Sequence, residues 1–284
     1  MRHDARRAVG WLAWTLFAAV ASAPAWVPAP AHAQSTSDAP TVSSLANMRD
    51  GFKWGITHND VINAFNKNGG IWDQDYDPLL RKAQPGVQQQ SLDADRDNKK
   101  AGIERSYVRF VTPTGYDSTD IKNEYTYRNQ EALMFVERQG KKRYFFFMGA
   151  EPTERLWKIY DEIPLTASGP LGTTFAEAVN KVQAVIGVVG RARGADASAG
   201  LDFTTVDWQD GTTHLRLVDR TKHHVVGVVL EERATLNALP QLRANKVEDL
   251  MAVDPSIAAA TRSDISDPNK TAAPASSAKA NKKK

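Results

Sequence analysis

The sequence predicts an α+β protein made of two helix-plus-antiparallel-sheet halves, each in two layers and the pair forming a possible tandem repeat, between disordered termini. Three observations carry that expectation. Apolar residues recur at helical spacing twice, behind Thr57 and behind Thr174. Runs rich in β-branched and aromatic residues follow each helix. Tight-turn residues, Gln139-Gly140-Lys141 and Asp210-Gly211, separate neighbouring runs and mark hairpins.

Residues 1–33 read as a secretory signal peptide. Arg2, Arg6 and Arg7 precede the apolar run 9–23, and Ala31-His32-Ala33 forms a small-x-small cleavage site. The apolar run, about 15 residues, falls short of the roughly 20 that a spanning helix needs. A second small-x-small site at Ala21-Ser22-Ala23 would place Pro24 directly after the cut, so cleavage after Ala33 is preferred. The expected mature chain, 34–284, is periplasmic or secreted and does not span a membrane. With no cysteine in the chain it has neither a lipid-attachment point nor disulfides. Residues 34–48 are Ser/Thr/Ala-rich and read as a disordered leader.

The first half covers 49–165. Thr57 and Asp60 resemble a capping box; Val61, Ile62, Ala64 and Phe65 then fall at helical spacing up to Gly69-Gly70. An insertion at 71–102, charged and Gln-rich, reads as peripheral helices or a loop. Strands are expected at 104–112, 131–138, 143–149 and 155–163. Tyr144 to Met148 is apolar at every position, so that strand should be covered on both faces, by its own helix and by the second half or the insertion. The second half covers 166–253. Thr174 and Glu177 form a capping box before Phe175, Ala178, Val179, Val182 and Ile186, and Gly187 ends the helix. Gly187 to Gly194 reads as a loop, and strands are expected at 202–209, 212–219 and 224–232. Residues 254–284, rich in Ala, Ser, Pro and Lys, read as a disordered basic tail.

The order of one helix and then a meander of strands, twice over behind an export signal, resembles the tandem modules of the β-lactamase inhibitory protein superfamily and of the related small outer-membrane assembly lipoproteins. The paired Gly-Thr helix starts, Gly55/Thr57 and Gly172/Thr174, and the strand sets after each carry the resemblance. The aromatic runs Tyr144 to Phe147 and Leu156 to Tyr160 resemble those of uncharacterised secreted bacterial proteins of this kind. The absence of stabilising and lipid-attachment cysteines departs from the pattern. The resemblance implies binding to another protein and no catalysis, and it brings no catalytic residues with it.

Composition narrows the functional classes. The net charge is +3 and the pI about 9.0. Most of the excess lies in the signal and the tail: residues 34–253 carry 27 basic and 29 acidic side chains. A near-neutral body with a basic tail does not make a nucleic-acid-binding domain. No thiol is present for catalysis or metal binding, and no G-x-S-x-G, S-x-x-K, H-E-x-x-H or P-loop occurs. Asp73, Asp75 and Asp77 have calcium-loop spacing, but Pro78 and Gln84 stand where that loop needs glycine and glutamate. Asp93, Asp95 and Asp97 repeat the spacing among Arg96, Lys99 and Lys100. A two-residue turn at Arg220-Thr221 would set His223 about 13 Å along the strands from His214, too far to share a metal.

No catalytic, cofactor or metal-ligating residue is therefore assigned, and no cofactor is expected. The expected role is a protein-binding or structural module in the cell envelope. Candidate partner contacts are Trp208, beside the Asp210-Gly211 turn, with Trp72 and Tyr76. Lys279, Lys282, Lys283 and Lys284 are candidate contacts for an anionic envelope polymer. The rival is a hydrolase of envelope polymers using a carboxylate pair that the sequence does not locate. Three acids lining one cleft would mark the hydrolase, and a filled surface would mark the binding module.

Overall fold

A computed structural model describes residues 38–112, 121–196 and 202–245. Their strands are β1 Val108–Arg109, β2 Glu131–Arg138, β3 Lys141–Met148, β4 Arg155–Pro164, β5 Arg191–Arg193, β6 Thr205–Gln209, β7 Thr213–Arg220 and β8 Val225–Glu232. They form one antiparallel sheet in the order β1-β2-β3-β4-β8-β7-β6-β5. With its helices this is the α+β architecture expected. The halves meet edge to edge and not face to face: β4 pairs with β8 from Lys158↔Glu231 to Pro164↔Val225. A Cβ at Gly227 would come within 2.5 Å of the Tyr160 hydroxyl, so glycine there lets the Tyr160 ring lie across the seam.

Both faces of the sheet are covered. Helices α1 (His58–Asn66), α2 (Ile71–Lys82), α3 (Val87–Arg105) and α4 (Phe175–Ile186) bury one face, packing Phe65, Trp72, Ile103 and Val182 against Phe145, Phe147, Ile159, Trp208 and Leu217. The other face lies under residues 121–127 and α5 (Arg233–Leu242). There Tyr125, Leu236 and Leu239 meet Tyr144, Phe146, Trp157 and Val229. Tyr144 to Phe147 are accordingly buried on both faces. The second cover is α5 and 121–127, however, and not the second half or the insertion. The chain turns back over the sheet directly after β8, which leaves the halves free to share one sheet.

Capping chemistry opens the two helices, with a reversal. Thr57 and Asp60 make the complete reciprocal box of α1. At α4 the Thr174 hydroxyl accepts from the Glu177 N–H, but the longer Glu177 side chain passes Thr174 and accepts from the Thr173 N–H at 2.7 Å. Gly172, at φ +86°, makes room for that carboxylate; any side chain there would strike it.

Other boundaries moved. The insertion is the α2–α3 hairpin, and α3 extends to Arg105, reducing the strand expected at 104–112 to Val108–Arg109. The expected loop at 187–194 contains β5, and α5 was not anticipated. Residues Thr221–His223 form a 3₁₀ turn, so Arg220 pairs with Val225 and Leu217 with Val228, correcting the expected histidine register. No helix among the described residues is long and apolar enough to cross a membrane.

Candidate functional site

Two features of the sheet gather polar chemistry. The first is a buried charged cluster under α5. Lys158, Glu231 and His214 lie side by side on β4, β8 and β7, and Arg216 faces Asp207 across β7 and β6. Glu124 bridges Lys158 Nζ at 3.1 Å and Arg216 at 2.8 Å, and His214 Nδ1 lies 2.9 Å from Glu231. Arg243 Nη2, after α5, binds Glu131 at 2.8 Å and the Glu124 carbonyl at 3.2 Å. Burial alone would raise Glu124, but the charges of Arg216 and Lys158 outweigh it and hold the carboxyl at about 2. Burial is likewise overcome at Glu231, which Arg216 and the His214 bond hold far below the ordinary range. At Lys158 burial prevails and pulls the ammonium down, despite Glu124 and Glu231.

Glu124, Asp202 and Glu231 thus line one cavity, together with Lys158, Arg216 and Arg243. The cavity measures about 40 Å³, room for a few waters and far below the roughly 300 Å³ at which ligand pockets begin. A glycosidase acid needs a raised carboxyl, whereas Glu124 and Glu231 are held ionised by their cations. Asp207 is pushed up by burial, but it is fully buried and is not among the cavity's lining residues. The geometry therefore ties 121–127 and the end of α5 to the sheet.

The second feature is the outer edge of β2. β1 pairs only with Ala132 and Leu133. The Phe110 N–H donates to the Glu131 carbonyl on this edge, while Arg138 and Lys141 close the two-residue turn to β3. Backbone groups therefore point outward at 131, 133, 135 and 137 and toward β3 at the residues between. The Phe135 N–H donates to Ser106 Oγ at 3.0 Å. Among the described residues nothing bonds the Phe135 carbonyl or the Glu137 N–H and carbonyl on this side. Such open groups are a template for another strand.

Alongside that edge runs α3. Asp95, Asn98, Lys99, Gly102 and Ile103 share one helix face and form one wall of a groove of about 350 Å³. Phe135, Val136 and Glu137 form the other wall, and Trp72 of α2 contributes to its lining. The groove continues past Lys99 and Glu137 to the β2–β3 turn, where Arg138, Lys141 and Lys142 line a further 370 Å³. A Cβ at Gly102 would meet nothing within 4 Å, so the helix wall is open there. Among the described residues the buried indole N–H of Trp72 has no acceptor. Tyr76 braces the wall by donating to Asp95; burial and that bond push its phenol up to about 12.

Of the residues nominated from sequence, Trp72 and Tyr76 come together here, but as buried groups behind and lining the groove, 3% and 8% exposed. Trp208 is fully buried at the far end of the sheet and donates to the Val188 carbonyl at 2.9 Å, because its strand turns that side chain under α4. Neither it nor Tyr76 offers a ring to a partner. Lys279, Lys282, Lys283 and Lys284 lie outside the described residues. Asp73, Asp75 and Asp77 sit on α2, where helical turning separates them; Asp73 pairs with Lys100 and Asp75 with Arg138. No group of three metal-ligating side chains is present among the described residues. The sequence reading missed the open edge and Gly102; the one available signal was a glycine within a helix-forming polar run.

No protein-family model matches the chain, and neither does any curated protein or solved structure.

Proposed function

We propose that this chain is a non-catalytic protein-binding module of the cell envelope that takes an extended segment of its partner as an added strand on β2. The observation that carries the reading is the Phe135 carbonyl and the Glu137 N–H and carbonyl, which nothing bonds among the described residues and which face a helix wall. In that mode the backbone supplies hydrogen bonds whatever the partner's sequence, and the groove selects side chains. The envelope location rests on the signal-like pattern of residues 1–33. The resemblance to tandem inhibitory modules, which implies protein binding, supports it. The ion-paired state of Glu124 and Glu231 weighs against the hydrolase alternative.

The test is affinity capture from an envelope extract with residues 34–284 as bait, comparing the parent chain with Gly102→Trp and Glu137→Pro. The first fills the groove, and the second removes an outward N–H that no ladder bond uses. A protein held by the parent at low and high salt should be missing from both variants, with their thermal unfolding cooperative. Identical captures by all three chains would refute the proposal.

A further inference from the structure

We infer that the strand accepted on β2 is an acidic one, with an apolar residue seated beside Trp72 and carboxylates over Lys99 and Lys142. This rests on the strand-addition reading and specifies its partner. The groove is graded along its length. Toward the middle of β2 its lining includes Trp72, Ile103, Phe135 and Val136. Toward the turn it is lined by Lys99, Arg138, Lys141 and Lys142 against the single carboxylate of Glu137.

The cations differ in how far they are already neutralised. Arg138 holds Asp75 through two hydrogen bonds, at 2.5 and 2.7 Å. Lys141 reaches Asp50 and Asp161 at 3.2 and 3.4 Å. Lys142 rests over the rings of Phe135 and Tyr144, at 4.5 and 5.0 Å. Among the described residues neither Lys142 nor Lys99 has a carboxylate within 4 Å. Lys99 lies on the α3 side of the sheet and Lys142 on the opposite face, over Phe135 and Tyr144, so neighbouring residues of an added strand, which point to opposite faces, approach one each.

The spacing follows from strand geometry. From Phe135 to Glu137 the open edge spans about 7 Å at strand rise, and the lysine end lies just beyond it at the turn. An apolar side chain at the Trp72 end is therefore followed, three or four residues on, by acidic ones at the lysine end. Charge also decides against the Lys-rich end of the chain as occupant: Lys279 and Lys282 to Lys284 would be repelled.

The experiment is fluorescence polarisation with the whole 34–284 chain and three labelled eight-residue peptides. Each alternates valine and threonine and ends in two glutamates, two serines or two lysines. The glutamate peptide should bind about tenfold more tightly than the serine one at low salt, as two exposed ion pairs supply. That advantage should shrink at high salt and reverse toward the lysine peptide in a Lys99→Glu, Lys142→Glu double variant. Both residues are half-buried, and circular dichroism checks that the variant is folded. Equal binding of the three peptides, all lost in Gly102→Trp, overturns the acidic inference and leaves strand addition standing. Absence of binding by any peptide, or binding that survives Gly102→Trp, overturns both. A concentration-dependent dimer abolished by Gly102→Trp would make a second copy the occupant and overturn the inference as well.

Discussion

Replacing Glu124 by Gln tests whether the cluster under α5 holds the second cover on the sheet. Glu124 is 8% exposed and neutralises both Lys158 and Arg216. Its carboxyl falls from the ordinary 4.5 to about 2, which corresponds to about 3 kcal/mol of stability at neutral pH. Removing one partner of a buried ion pair costs about 3–5 kcal/mol by a separate route. Because the folded carboxyl is the more acidic, this contribution is complete above about pH 4.5 and is lost as the pH falls toward 2. Urea unfolding followed by tryptophan fluorescence should therefore show the variant about 3 kcal/mol less stable at pH 7, with the two chains converging near pH 2. At this size the melting temperature should fall by about 6–12 °C. A loss under about 1 kcal/mol, or a difference that does not change with pH, would refute the assignment of Glu124 as an ionised clamp.

Three further outcomes are expected. Gly227→Ala should destabilise by about 1–3 kcal/mol through overpacking against Tyr160, and calorimetry that finds an unchanged melting temperature would remove that seam contact from the account. Gly102→Ala should do the opposite and stabilise by about 1 kcal/mol through helix propensity, since its Cβ meets open space; destabilisation in the same assay would mean that the groove is occupied by the chain itself. Deleting 254–284 should abolish salt-labile retention on anionic envelope polymer if Lys279 and Lys282 to Lys284 carry it, and retention unchanged in a salt-gradient binding assay would end that role.

Much of the fold was legible because its signals are local. Thr57 with Asp60, Gly69-Gly70 and the Asp210-Gly211 turn act within a few residues of themselves, and the elements they bound appear where expected. Tyr144 to Phe147 announced burial on both faces by composition alone. β5 was not legible, since Arg-Ala-Arg has no apolar signature and is a strand only through its pairing with β6. Helix α5 was missed because Leu236 and Leu239 make a narrow stripe that matters only once the sheet lies beneath it. The charged residues Lys158, Arg216 and Glu231 on β4, β7 and β8 carry no local mark of burial either. Only the cover of 121–127 and α5 buries them.

The candidate site lay further from view. A strand such as β2 looks the same whether its edge is paired or open, and a polar helix such as α3 looks the same whether its face meets solvent or a groove. The sequence by itself determined the α+β class, the main hairpins and the doubly buried strand, because capping, turn geometry and side-chain periodicity are short-range. The tertiary structure alone decided that the halves share one sheet through β4 and β8, that the charged face is buried, and that among the described residues β2 keeps an open edge beside Gly102. Those outcomes depend on contacts between segments tens of residues apart, where backbone groups left over by one pairing become available to another.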